Sequence, residues 1–422
     1  MGIHSIVTYS VEDRKSLPVL LADEAVCIGK GSPQDSYLNS AQIISAATLL
    51  NVDAIHPGYG FLSENAAFAR ICEDYKIKFI GPRADVLEKI KDKAHVRSIA
   101  KKLGVPILPG NVTPLKSVAE ARKTAKEIGY PIMLKAAQGG GGRGIRIISQ
   151  EDELIEQFPL AQQEAKVSFG SDNLYIEKYL ENPRHVEVQI LADEYGNVIH
   201  LGVRECSIQR RHQKILEEAP TMALSKEKIE KLEEDAVRLA KGINYTNAGT
   251  FEFLVDKDNY YFMEVNARIQ VEHPVTEQTT GIDLIKEQIN VASGKKLSYK
   301  QGDIVQKGWA MEFRINAEDP ENNFRPSAGR AELVIFPGGR GVRVDSHIYS
   351  GQEISHIYDS LLGKLIVFGK SREECIKIGK RAMDEIFIKG VKTNISLHKK
   401  ILNDKDFQKG NISTNFLKRF TE

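Results

Sequence analysis

Residues 249–266 read GTFEFLVDKDNYYFMEVN, two alternating apolar runs separated by Lys257, Asp258 and Asn259. Period-two alternation broken by turn-forming residues predicts a β-hairpin. A three-residue loop sets Glu252 opposite Glu264, and alternation then puts Asn266 on the same face. Like charges opposed across two strands cost energy unless something positive lies between them. Two carboxylates and an amide oxygen are hard donors that suit Mg²⁺ (or Mn²⁺), with phosphates and waters filling the remaining positions. The alternative is a solvated strand face, which the flanking Phe251, Phe253, Met263 and Val265 disfavour.

Immediately downstream, residues 266–274 read NARIQVEHP. If this segment is extended, Arg268, Gln270 and Glu272 share one side. An arginine, an amide and backbone N–H groups make a small-anion pocket, and a carboxylate beside it is a candidate general base. Upstream, RHVEVQILAD (184–193) and NVIHLGVREC (197–206) read as another hairpin. The basic run that follows, QRRHQK (209–214), reads on its own as a solvated charged turn.

Earlier still, KAAQGGGGRG (135–144) lies between the apolar strand YPIMLKAA and the strand IRIIS. Consecutive glycines let backbone N–H groups approach phosphate oxygens, with Lys135 and Arg143 supplying charge. No Gly-Lys-Ser/Thr closes the run and a strand follows it, so it is not a Walker A loop. It reads as a flap over phosphates, the alternative being a mobile surface loop.

Outward from this centre the chain divides into three. Residues 1–91 alternate short strands with helical segments, which predicts a doubly wound parallel sheet. Residues 92–307 hold the hairpins, and within them about 105–182 form a small α+β unit suited to a lid. It includes a helix starting at Ser117 with Glu120 three residues on, the pattern of a capping box. Residues 308–422 are β-rich with one clear helix, SREECIKIGKRAMDEI.

Composition excludes several classes of function. The chain has 58 basic and 57 acidic residues, a formal charge of +1, which argues against a nucleic-acid binder. No apolar run reaches the roughly 18 residues of a membrane helix, and Met1–Ser10 lack a secretory pattern. Four cysteines, Cys27, Cys72, Cys206 and Cys375, stand far apart, giving neither a disulfide framework nor a zinc site. The expectation is a cytoplasmic enzyme.

Taken together, HPGYGFLSEN (56–65), KAAQGGGGRG, RHVEVQ, RECSIQRRHQKILEEAP (204–220), MEVNARIQVEHPVTE (263–277), INAEDP (315–320) and YDSLLGKLI (358–366) resemble the biotin carboxylase branch of the ATP-grasp enzymes. The likeness runs over essentially the whole chain. It implies an ATP-grasp fold with a lid, a β-rich C-terminal domain and an N-terminal domain truncated at its start. It also implies ATP- and bicarbonate-dependent carboxylation of biotin N1′ through carboxyphosphate. By the resemblance, Lys93, Lys135, Gly141 and Gly142 bind phosphates, and Glu177, Lys178, Tyr179 and Leu180 form the adenine-side strand. His185 and His212 make further nucleotide contacts, while Glu252, Glu264 and Asn266 hold the metal. Lys214, Arg268, Gln270, Val271 and Glu272 form the bicarbonate pocket, Arg314 faces bicarbonate and the biotin enolate, and Tyr59 lines the biotin side.

The resemblance also implies partners: a biotin carboxyl carrier protein and carboxyltransferase subunits. None of the six methionines has the Met-Lys-Met setting of a biotinyl lysine, so the carrier is expected in trans. A full-length form is expected to be a homodimer. The family's first strand, its Gly-containing turn and its helix have no counterpart before Met1, and a misassigned start is the favoured explanation. The parent complex is expected to be acetyl-CoA carboxylase of fatty acid synthesis, with propionyl- and pyruvate-carboxylating complexes open. Two other readings stand beside this one: a different ATP-grasp ligase, and a catalytically silent nucleotide-binding subunit.

Overall fold

The computed structural model describes residues 1–111, 113–136 and 144–421. The flap expected around the glycine run, with Gly141 and Gly142, lies outside the described residues.

Alternating apolar residues build an eight-stranded antiparallel sheet. Its order is Asn259–Asn266, Asn247–Asp256, Arg184–Ala192, Val198–Arg210, Gln213–Ala219, Trp309–Asn316, Leu361–Gly369 and Val342–Ser346. Helix Lys226–Gly242 covers one face, burying Leu232, Ala236, Leu239 and Ala240 in the cluster that holds Val186, Val188, Phe251 and Phe253. Each of the leucine, valine and phenylalanine side chains contributes about 1.5–3 kcal/mol by leaving water. The sheet passes without a break from residues 184–266 into the C-terminal part, because Leu216 pairs with Phe313 and Glu217 with Glu312. A second cluster, with Phe313, Leu365, Met383 and Ile401, packs helices Arg372–Glu385 and Ile395–Asn403 onto these later strands.

The smaller unit has its own core. Strands Ile145–Ile148, Ile132–Ala136 and Leu174–Lys178 form a sheet in that order. Helices Val118–Ile128 and Glu151–Phe169 cover it around Leu134, Leu154 and Phe158. The Ser117 hydroxyl caps the first helix by accepting from the Glu120 N–H at 3.3 Å. The Glu120 carboxylate accepts from the Lys116 N–H at 3.0 Å, one residue outside the expected reciprocal bond.

In the first part, Ile6–Ser10 runs parallel to Glu24–Gly29, and Ala54–Ile55 parallel to Lys78–Phe79. The direction agrees with the sequence reading. Among the described residues no strand joins the two pairs. Among the described residues no helix is long and apolar enough to cross a membrane.

Candidate active site

A cleft of about 2420 Å³ opens between the small unit, the large sheet and the first part of the chain. Its floor is a row of charges across four adjacent strands. Glu264 pairs with Glu252, Glu252 with Glu187, and Glu187 with Arg204.

The Glu252–Glu264 pairing arises differently from the expected route. Asp256 pairs directly with Asn259, so the turn has two residues, Lys257 and Asp258, with Lys257 at φ 53°. The register slips by one between Glu252 and Phe253, where Met263 is the extra residue of a bulge. The shorter loop and the bulge cancel. Without the bulge, Phe262 and Val265 could not both lie in the same core cluster, because they stand an odd number of positions apart, three.

Three cations neutralise the row. The Lys214 ammonium donates to Glu187 at 2.6 Å, Glu252 at 2.9 Å and Glu272 at 2.7 Å, using its three protons. Arg204, fully buried, donates to Glu187 at 2.5 Å, Gln189 at 2.6 Å, and Thr250 and Thr276 at 3.0 Å. Lys93, first residue of helix Lys93–Lys102, lies 2.5 Å from Glu264. Burial would depress the Lys214 ammonium, but the surrounding acidic groups outweigh it and hold it well above its usual range. Burial would likewise raise Glu252, but Lys214 and His185 hold it below the ordinary carboxylate range. His185 Nε2 lies 3.2 Å from Glu252, while its Nδ1 meets the Gln209 amide at 2.8 Å.

Glu272 is fully buried just before helix His273–Thr280. One of its oxygens faces Lys214 and the other accepts from Arg314 at 2.8 Å. Burial pushes its carboxyl up, yet Lys214, Arg314 and Arg204 together hold it well below 4.5. Arg314 also donates to Glu217 at 2.6 Å. Burial raises Glu217 to about 7 against the pull of Arg314.

Segment 267–272 is not an extended strand. Arg268 therefore does not sit beside Glu272; its Nε faces Glu64 at 3.3 Å and its Nη1 donates to Gln270 at 3.0 Å. Glu64 in turn accepts from the Ala267 N–H at 2.8 Å, so the first part of the chain fixes this loop. The Gln270 amide reaches back to Glu252 at 3.5 Å. Val271 lines the cleft nearby.

On the small unit, Lys135 pairs with Glu177, and Arg97 meets the same carboxylate at 2.6 Å. Burial raises Glu177, but Lys135 and Arg97 bring it below its usual range. Lys178 turns its ammonium to the Gly129 and Tyr130 carbonyls, both at 3.0 Å, so only its strand position faces the cleft. Tyr179 and Leu180 line the cleft beside it. His212 sits exposed at the tip of the hairpin between Val198–Arg210 and Gln213–Ala219, with φ 67°. Arg210 behind it is anchored to Glu318 at 3.2 Å, so the basic run is partly a cleft wall rather than a free turn. Tyr59 lines the cleft and is 42% exposed.

Glu252, Glu264 and the Asn266 side chain supply oxygen donors at one edge of the row, a set that fits a hard divalent cation. Among the described residues, the tightest His, Cys and carboxylate groups are His185–Glu187–Glu252 and Glu187–Cys206–Glu272. Lys214 already bridges carboxylates of both groups.

Sequence reasoning missed Glu187, Arg204, Glu217, Glu64 and Arg97. Period-two alternation from His185 places Glu187 on the same face, so that signal was available. Nothing local marks Glu64, which acts across about 200 residues of chain.

Comparison with known proteins gives the chain a family. Residues 1–87 match the biotin carboxylase N-terminal domain, 92–300 the ATP-binding domain of the carbamoyl-phosphate synthase L chain, and 312–419 the biotin carboxylase C-terminal domain. Biotin carboxylase 1 of Bacillus subtilis (strain 168) is 52% identical over 422 residues, 100% of this chain and 94% of that protein. The biotin carboxylase domain dimer of Hydrogenobacter thermophilus 2-oxoglutarate carboxylase, solved with MgADP, ADP and bicarbonate, superposes with a TM-score of 0.94. It is 48% identical, covering 99% of this chain and 92% of that one. A Campylobacter jejuni biotin carboxylase–β,γ-ATP complex gives a TM-score of 0.95 at 46% identity, covering 99% and 94%.

Proposed function

The chain belongs to the biotin carboxylase family, and from that premise we propose a role for each group in the cleft. The protein is an ATP-dependent ligase that carboxylates biotin at the expense of bicarbonate. The observation that carries the residue assignment is Glu272, buried and ionised between Lys214 and Arg314.

Glu272 is the general base for bicarbonate. With both oxygens on cations its proton affinity is low. One cation must therefore turn to the incoming anion, and losing it lifts the carboxyl back toward a useful range. Arg314 is suited to that turn, because it is already shared with Glu217. Arg268, Gln270 and the Val271 N–H hold the anion, while Lys214 stabilises the charge that grows on it. Lys93 and Lys135 bind phosphate oxygens, Glu177–Leu180 and His185 border the nucleotide, and His212 closes over it from the hairpin tip. Glu252, Glu264 and Asn266 hold Mg²⁺ or Mn²⁺, which when bound neutralises phosphate charge. Tyr59 lies on the biotin side, sharing the cleft with Arg314. Carboxyphosphate is the intermediate this arrangement serves.

The proposed division of the chain is 1–91, 92–307 with a lid at about 105–182, and 308–422. The proposed partners are a biotin carboxyl carrier protein in trans, carboxyltransferase subunits and a second copy of this chain. The proposed compartment is the cytoplasm and the proposed parent complex acetyl-CoA carboxylase, though the Hydrogenobacter relative serves a 2-oxoglutarate carboxylase. Steady-state ADP release with free biotin tests the assignment. It should require both bicarbonate and biotin, and ADP release indifferent to both would overturn it.

A further inference from the structure

His273 follows the general base directly and is only 6% exposed, yet no step above uses it. Its Nδ1 lies 2.8 Å from the Gln270 carbonyl oxygen. A carbonyl only accepts, so Nδ1 carries the proton and donates. The backbone N–H of His273 reaches the same oxygen more weakly, at 3.3 Å. The next carbonyl along, that of Val271, accepts from the Lys364 ammonium at 2.9 Å. Both peptide planes flanking Val271 are thus anchored by their oxygens.

In a trans peptide the C=O and the following N–H point in opposite directions. Anchoring the Gln270 oxygen on His273 therefore turns the Val271 N–H away from the helix. No acceptor among the described residues meets that N–H, and Val271 lines the cleft with Arg268 and Gln270. A backbone donor without a partner, on a peptide gripped from behind, is aimed at something that comes and goes.

We infer that His273 is a positioning residue that aims the Val271 N–H at the anion. The inference rests on the reading of Arg268–Glu272 as the bicarbonate pocket. It predicts a defect confined to bicarbonate, since His273 pairs with no residue assigned to the nucleotide or the metal.

The test is bicarbonate-dependent ATP cleavage by the whole chain with free biotin held at saturation, varying bicarbonate at saturating ATP and ATP at saturating bicarbonate. His273→Leu, which removes the side-chain donor but keeps the backbone one, should raise the bicarbonate KM about tenfold, with the ATP KM within about twofold. His273→Asn, whose amide can donate near the Nδ1 position, should recover most of the loss. His273→Gln, with its amide one carbon further out, should not. If Leu fails to fold, the Asn and Gln pair still decides the matter. Equal bicarbonate KM for Asn and Gln, or a parallel rise in both KM values for Leu, would overturn the proposal. Arg268→Met serves as the separate check. If it leaves the bicarbonate KM unchanged, the anion pocket lies elsewhere and the underlying reading fails, whatever the His273 variants show.

Discussion

Lys214 holds three carboxylates from three different elements with one ammonium, an arrangement sensitive to single-atom changes. Removing one partner of a buried ionic cluster costs more than the cluster contributes, because the groups left behind stay buried and unpaired. Lys214→Met should therefore destabilise the fold by roughly 3–5 kcal/mol at neutral pH. The loss should shrink toward pH 5 as the freed carboxylates take up protons, which urea melts at the two pH values would reveal. An equal loss at both would mean that packing, not charge, is Lys214's contribution. Glu272→Gln changes charge at almost constant shape. It should reduce bicarbonate-dependent ATP cleavage by about 100- to 10,000-fold, the usual cost of losing a general base. Calorimetry should find MgADP bound as before, and near-normal turnover would remove Glu272 from the role.

The hairpin of residues 247–266 shows how far an element can be read from its sequence. Alternation gave the strands and the facing pair Glu252–Glu264, but the loop length and the Met263 bulge were both invisible, because a bulge leaves no mark in a period-two pattern. Segment 267–272 failed for a different reason. Its shape depends on Glu64, on Gln270 reaching Glu252 and on the helix behind it, none of which a local pattern encodes. The bulge makes a sharp prediction. Deleting Met263 removes only the extra residue, so Phe262 stays opposite Phe253, Glu264 opposite Glu252 and Val265 opposite Phe251, and both carboxylates keep the cleft face. Metal dependence of ATP cleavage should therefore survive this deletion better than it survives Glu264→Gln or Glu252→Gln, and a loss as large as in those variants would refute the register argument. On helix Lys226–Gly242, burial raises Glu233 to about 7, with His200 at 3.5 Å pushed down to about 4 and so neutral. The folded protein then binds the Glu233 proton more tightly than the unfolded chain does. Stability from this group is full below about pH 4.5 and falls by about 3 kcal/mol as pH rises to about 7. His200, kept neutral in the fold, pulls the opposite way over the same range, so Glu233→Gln should make stability rise more steeply with pH in melts between pH 5 and 7, and an unchanged slope would remove Glu233 from the account.

At the scale of the molecule, the groups assigned to the nucleotide are divided between two bodies. Lys135 and Glu177–Leu180 belong to the small unit with its separate core, whereas Glu252, Glu264, His185 and His212 belong to the large sheet. The two meet through few polar links, among them Phe262 N–H to the Pro106 carbonyl at 2.7 Å and Arg97 to Glu177. Units with their own cores can open without global unfolding. In nucleotide-free protein, amides of Ile132–Ala136 and Leu174–Lys178 should therefore exchange with solvent faster than those of Arg184–Ala192. If that opening dismantles the nucleotide site, a ligand at 100 times its Kd opposes it by about 2.7 kcal/mol. Exchange in the two small-unit strands should then slow about a hundredfold with MgADP, and Lys135→Gln should need correspondingly more nucleotide for the same effect. Mass spectrometry of peptic fragments can follow both bodies in one experiment. Small-unit rates that ignore saturating MgADP would show that this unit opens without touching the nucleotide, and Lys135 and Glu177 would lose their assigned place.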